Sequence, residues 1–317
     1  MKRIFGAVVT GAMLAANAVF AADITIGLSV DQLFESRVAV NNGIKAGAAD
    51  RGYDVVEVVA DGDAQQQNAQ IQSLIAQGVD AILVCAVDQN TIERALLAAK
   101  KANIPVVAYD RDLPDSRVVQ SFVGPDSLVD GRLAGEYTAK ALEGVEGPIT
   151  IVELIGALND QNGIDRSKGF REGIAKLQNV NLIEVPTDWD SARALSGTQN
   201  AFQANPKVSA VFAATDTHIP AVETVLSDLG KLAPMGSDDH VVITGVNGSN
   251  DGYQAVLSGT ADAFVVMGTD ATGRKAVELV SQILAGEKVE RLNYVGGNLY
   301  TASDAEANKA MIWGAPK

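Results

Sequence analysis

The sequence predicts an α/β protein built from doubly wound parallel sheets and divided into two similar lobes. Three observations carry that reading. Strand-like and helix-like segments alternate along nearly the whole chain, the pattern of repeated βα units. The strand segments are continuous apolar runs, as expected where helices cover both faces of a sheet. About ten such units are present, more than one open sheet ordinarily holds. A length of 317 residues also exceeds the size at which a single core stops growing.

Taken in order, the first segment stands outside the fold. Residues 1–21 read as a signal peptide: Lys2 and Arg3 precede an apolar stretch from Ile4 to Phe20, and Val19 and Ala21 put small residues at the cleavage positions. The alternative is a short membrane anchor, but the stretch is interrupted and short for a span of ~20 residues. No cysteine follows it, so no lipid anchor is expected. The expected product is a soluble periplasmic protein beginning near Ala22.

The mature chain opens with a strand from Ile24 to Val30 and a helix from Arg37 to Arg51. Val55 to Val59 then precedes a helix from Ala64 to Gln77, and Ala81 to Val84 precedes one from Thr91 to Ala102. Pro105 to Tyr109 ends on Asp110-Arg111. A second series begins at Val118 to Val123, with a helix from about Leu128 to Leu142. Strands at Ile149 to Leu154, Leu182 to Val185, Ala210 to Ala213 and Val241 to Thr244 are each followed by a helical stretch. Gly52, Gly78 and Gly230 stand where helix ends need a left-handed residue. In such sheets ligands bind beyond the carboxyl ends of the strands. The segments there are rich in Asp, Asn, Arg and Trp.

Composition narrows the function. Lys and Arg number 25 against 39 Asp and Glu, a formal net charge of −14. A chain that acidic repels phosphate backbones, so no nucleic-acid partner is expected. One cysteine, Cys85, allows no internal disulfide, and two histidines leave little for His-dependent catalysis. Phosphate-binding loops, dinucleotide turns, nucleophile elbows and zincin helices are absent from the sequence. These features favour a binder over an enzyme.

Four stretches carry a resemblance: residues 106–111 (VVAYDR), 131–137 (GRLAGEY), 166–170 (RSKGF) and 210–216 (AVFAATD). They resemble the periplasmic pentose- and hexose-binding proteins of ABC importers, of the ribose-, xylose- and galactose-binding type. The resemblance runs through the mature chain in order. The stretch 26–37 (IGLSVDQLFESR) is most similar to the xylose-binding branch. It implies two lobes joined by a three-crossover hinge with the sugar in the cleft between them. It further implies lobe one at 22–125 plus 268–296, and lobe two at 126–267 plus 297–317. Residues 143–148 lack the calcium ligands of the galactose-binding relatives, so no metal is expected, and no cofactor.

A sugar needs planar side chains that pair with neighbouring hydroxyls and an aromatic plate against its apolar face. Asp110 and Arg111 place an acceptor beside a forked donor at a strand end, and in the family this pair grips ring hydroxyls. From spacing alone they equally fit a solvated turn. Arg166 stands where the family has a second sugar-binding arginine, with Asp165 beside it; a charged first helical turn is the plain alternative. Trp189 matches a stacking aromatic, or else packs at a lobe edge, and Trp313 is expected to pack. Thr215, Asn247 and Met267 depart from the ribose-type pattern, which has Asn, Asp and a polar side chain there. Asp216 is a further expected contact. Asp31, Gln32, Phe34, Glu35 and Arg37 fall in the family's first binding loop. Cys85 reads as a buried strand residue, His240 as part of a polar turn, and His218 as a helix-start residue able to line the cleft.

The resemblance implies a binding subunit that works with an ABC permease, as a monomer, on a monosaccharide, first of all a xylose-like pentose. A polyol or furanose-like signal presented to a chemoreceptor or sensor kinase is the second reading. A lactose-repressor-type regulator would need DNA-binding helices where the signal peptide stands. A glycoside-processing enzyme could use carboxylates alone.

Overall fold

The computed structural model describes residues 24–205, 207–237 and 239–316. The expected signal peptide, residues 1–21, lies outside them. The described chain forms two sheets of six strands each.

Sheet one is laid down by β1 (Thr25–Val30), β2 (Asp54–Val59), β3 (Ala81–Val84), β4 (Val106–Tyr109) and β5 (Ser121–Pro125). Between the first four strands run α1 (Glu35–Ala49), α2 (Ala64–Gln77) and α3 (Glu93–Lys101). The chain then leaves for sheet two: α4 (Ser127–Ala141), β6 (Ile149–Ile155), α5 (Gln161–Ile174), β7 (Val180–Pro186), α6 (Ser191–Ala204), β8 (Ala210–Ala213), α7 (Ile219–Asp228), β9 (Val242–Asn247), α8 (Asn250–Ser258) and β10 (Ala263–Val266). It returns through α9 (Thr269–Leu284) to β11 (Leu292–Val295) in sheet one, and crosses again to β12 (Asn298–Thr301) and the short α10 (Ala302–Ala305). Strand orders are β11-β5-β4-β3-β1-β2 and β12-β10-β9-β8-β6-β7. All pairs are parallel save β12, which runs antiparallel to β10 with Val265 opposite Leu299. The three passages between sheets follow β5, β10 and β11.

Local chemistry sets the element ends at the cleft side. Asp63, Asp126, Asp160, Asp190 and Ser249 each accept a backbone N–H in the first turn of the helix they precede, satisfying donors that would otherwise be orphaned. At the far end, α2 closes on Gly78, with φ 75°, where a side chain would be strained.

Every residue of β3, β4, β5, β6, β8 and β9 is buried, which is why those strands read as unbroken apolar runs. The edge strands differ. β7 alternates and spans Val180–Pro186, longer than the apolar run 182–185 that announces it, because one face meets water. Val118 and Val119 are buried but precede β5: they pack beside Leu96 and Phe122 from a loop. Hydrophobicity reported their burial, not their conformation. β10 (AFVV) is fully buried in the same way as β9, whereas β11 and β12 are short and carry few buried residues, so no such run marks them.

Two helix pairs hold the lobes together internally, α1 with α9 and α4 with α5. In both, glycines let backbones touch. A Cβ at Gly131 would lie 2.1 Å from the Arg166 carbonyl oxygen, and one at Gly169 2.0 Å from that of Leu128. A Cβ at Gly273 of α9 would come within 2.3 Å of the Val40 carbonyl oxygen. The stretches 131–137 and 166–170 are therefore the two sides of one helix crossing. Beneath it Phe170 stacks on Phe212 at 4.1 Å.

Substituting Gly169→Ala is expected to cost about 1–3 kcal/mol, because only backbone movement can relieve the overlap. Urea unfolding of the purified protein measures it; an unchanged midpoint would show that the helices do not approach this closely.

Candidate ligand-binding cleft

The carboxyl ends of both sheets face one another across a cavity of about 350 Å³. Sheet one supplies an interlocked set of charges. Asp31 follows β1, Arg37 sits in the first turns of α1, and Asp110-Arg111 follow β4. Asp110 adopts φ 62°, a left-handed conformation that turns the chain sharply at the strand end. Arg37 is 3% exposed. Its Nε lies 2.7 Å from Asp31 Oδ1 and its Nη1 2.6 Å from Asp110 Oδ2. Arg111 Nη1 reaches Asp31 Oδ2 at 3.0 Å and donates to the Ala86 carbonyl at 3.1 Å. Burial alone would push the Asp31 carboxyl up, but the neighbouring Arg37 and Arg111 outweigh it and hold the pKa below the ordinary value. The same burial raises the Cys85 thiol. Cys85 is a fully buried residue just after β3.

Sheet two brings Asp160, Asn162, Arg166, Trp189, Thr215, Asn247 and Met267 to the opposite wall. Asp188 and Trp189 both have positive φ, 51° and 63°, so the loop after β7 is held in a strained form that projects the indole. The indole lies on the backbone at Gly156, where a Cβ would meet it at 2.1 Å. Its Nε1 donates to Asp160 Oδ2 at 3.0 Å. Arg166 donates to the Ala214 carbonyl at 2.8 Å and to the Met267 sulfur at 2.9 Å, and its guanidinium carbon lies 5.8 Å from the Trp189 ring centre. Asn247 has φ 141°, and its carbonyl accepts from Met267 N and Trp313 Nε1. Trp313 thus packs behind the site.

The two walls also bind each other. Arg111 Nε lies 2.9 Å from Asp160 Oδ2. Asn162 Nδ2 donates to Asp110 through both the backbone oxygen, at 3.1 Å, and Oδ1, at 3.0 Å.

Of the residues expected from sequence, Phe34, Arg37, Asp110, Arg111, Arg166, Trp189, Thr215, Asn247 and Met267 line the cavity, as does Glu35. Asp31 stands behind the two arginines, and Gln32 at the outer mouth. Asp216 is placed elsewhere. It is fully buried, and its Oδ2 accepts from Gly248 N and Ser249 N at 2.7 and 2.9 Å, shaping the turn after Asn247. Burial pushes its pKa up to about 6 against those hydrogen bonds. Asp165 turns to Gln161. His218 is fully buried and lines no part of the cavity; burial pushes its pKa down to about 4. His240 pairs with Asp262, which also accepts from Ile243 N. Sequence reading missed Asp160 and Asn162. Asp160 caps α5 with one oxygen, and its second oxygen gains a role once the lobes meet.

A family model described as a periplasmic binding protein domain matches residues 27–288. The chain belongs to this family. It is 32% identical to the ribose import binding protein of Escherichia coli (strain K12), over 92% of this chain and 94% of that one. The galactofuranose-binding protein of the same strain is 30% identical, with 90% of each chain covered. A solved structure from Mycobacterium smegmatis in complex with β-D-fucofuranose superposes with a TM-score of 0.82 at 28% identity, covering 90% of this chain and 93% of that one. The family's architecture of two α/β lobes with parallel sheets is the one described here. Its members named above bind sugars.

Asp31→Asn is expected to destabilise the protein by about 1.5–3 kcal/mol at pH 7: Arg37 keeps Asp110 and Arg111 keeps Asp160, but both lose the charge-assisted contacts that Asp31 accepts. The folded pKa of Asp31 is depressed, so its stabilisation is present above the unfolded value of 3.8 and fades as pH falls through the lower folded value. Denaturant titrations at pH 7 and pH 3 should show the penalty shrinking at the lower pH.

Proposed function

We propose that the protein is the periplasmic binding subunit of an ABC-type importer, taking a single monosaccharide by closure of two lobes, with no chemistry on the ligand. One observation carries the reading: a small cavity is walled by paired guanidinium and carboxylate groups from both lobes, beside one indole. Guanidinium and carboxylate edges match vicinal hydroxyls, and the indole offers a flat apolar surface to C–H groups. At about 350 Å³ the cavity is near the small end of ligand pockets. Lobe one is read as 22–125 plus 268–296, lobe two as 126–267 plus 297–317. Ligand stabilises the closed form by its differential affinity for it, the hinge closure for which periplasmic binding proteins are a standard example. The closed surface then meets a membrane permease, and the binding subunit acts as a monomer.

A furanose-form sugar fits the site better than a pyranose of the ribose type. Met267 offers a thioether where a polar side chain would read a hydroxyl, and Thr215 and Asn247 reduce the acceptor set. One of the relatives described above is named for a furanose, and the solved structure described above holds one. Pentoses, xylose included, belong beside them in the test.

Thermal unfolding of ligand-free protein against ribose, xylose, galactofuranose, fucofuranose and inositols tests this. A sugar at ~100 times its dissociation constant adds about 2.7 kcal/mol, a rise of several degrees. Asp110→Ala or Trp189→Ala should remove the rise for the sugar that gives it. No rise with any member would sink the reading. In the source cell, the mature protein is expected to begin near Ala22 in the osmotic-shock fraction; a full-length mass in the cytosol would contradict export.

A further inference from the structure

Asp130 lies one turn into α4, fully buried, and neither carboxyl oxygen makes a hydrogen bond of normal geometry. It sits where two functional parts meet. On one side is the third passage between the lobes: a Cβ added at Gly297 would come within 2.4 Å of Asp130 Oδ1. On the other is the α4–α5 crossing, where the next residue, Gly131, touches the backbone of Arg166. Arg166 is itself incompletely bonded. Its Nη atoms meet a carbonyl and a thioether, both neutral, and its buried Nε has no partner. A buried cation with only neutral hydrogen-bond partners needs a countercharge nearby.

We propose that Asp130 is a positioning residue for Arg166, its carboxylate holding the guanidinium in the cleft from behind and linking the grip on ligand to the Gly296–Gly297 passage. The proposal rests on the sugar-binding reading of Arg166. The charges acting on Asp130 are Arg166 from α5 and Asp126 at the start of its own helix. The strands packed against α4 add none: β8, β9 and β10 carry no titratable side chain, and β12 turns Leu299 toward this layer and Tyr300 into the other. Burial pushes the Asp130 pKa up to about 7, against the pull of Arg166 and the Gly297 amide and with the push of Asp126. Protonation near neutral pH therefore weakens the negative charge behind Arg166 and loosens it; the other buried carboxylate that feels Arg166, Asp216, is held by the Gly248 and Ser249 amides and is pushed up only to about 6.

Trp189 reports the position of Arg166, because the guanidinium lies over its ring. In ligand-free Trp313→Phe protein, Trp189 emission is expected to titrate with a midpoint near pH 7, and Asp130→Asn should abolish that step. Burial pushes the His218 pKa down to about 4, outside the window, and a step from Asp216, pushed up to about 6, would persist in Asp130→Asn and is told apart by that. Emission that is flat from pH 6 to pH 8, or that titrates equally in Asp130→Asn, overturns the proposal. Should Trp313→Phe not fold, the same pair of titrations on the two-tryptophan protein decides it. With D-ribose or D-galactofuranose bound, affinity should be about threefold to tenfold weaker at pH 6 than at pH 8. In Asp130→Asn it should be pH-independent and weak. If neither binds, the panel member that does takes their place; if none binds, the functional reading fails, while the emission titration still decides the role of Asp130.

Discussion

Five formal charges, those of Arg37, Arg111, Asp31, Asp110 and Asp160, are drawn out of water at the strand ends, and they are tolerable only because they pair. An unpaired ion in such surroundings costs several kcal/mol. Because Asp160 belongs to the other sheet, the pairing is complete only when the two lobes are together. The same groups that would be costly when separated are the ones best suited to a polyhydroxylated ligand, which can satisfy each wall with hydroxyls. Affinity and closure are thus two expressions of one desolvation problem.

The rest of the architecture serves that arrangement. Parallel sheets collect their loops at one end, and helix caps hold those loops in place: Asp160 accepts Asn162 N with one oxygen and faces Arg111 and Trp189 with the other. Strained backbone at Asp110, Trp189 and Asn247 is concentrated at the cleft, where it aims side chains rather than relieving the chain. The glycine-lined crossing of α4 and α5 fixes Arg166 from below, so the arginine that completes the second wall is positioned by backbone contact and not by a flexible loop.

Much of this was legible in the sequence. Doubly covered strands announce themselves as unbroken apolar runs, and β3 and β8 were bounded correctly by hydrophobicity alone. Edge strands were less visible, since β7 and β11 alternate or carry few buried residues. The charged contacts at 110 and 111 were readable through the resemblance of the stretch 106–111, since their place at a strand end fits a solvated turn equally well. Asp216 misled, because an aspartate at a strand end looks the same whether it meets ligand or ties down the next turn. Asp160, Asn162 and Asp130 were missed for a common reason: their surroundings come from the other lobe or from the third crossover, and no local pattern encodes a neighbour that distant in the chain.

Lobe closure on a sugar is the central claim, and small-angle X-ray scattering measures it most directly. Protein stripped of ligand is compared with protein holding D-ribose, D-galactofuranose or D-fucofuranose. The account predicts that a sugar which binds contracts the radius of gyration, and that Asp160→Ala lessens the contraction by removing the pairing across the cleft. A sugar bound tightly with unchanged scattering would contradict it, and so would the absence of binding by these three and by xylose alike.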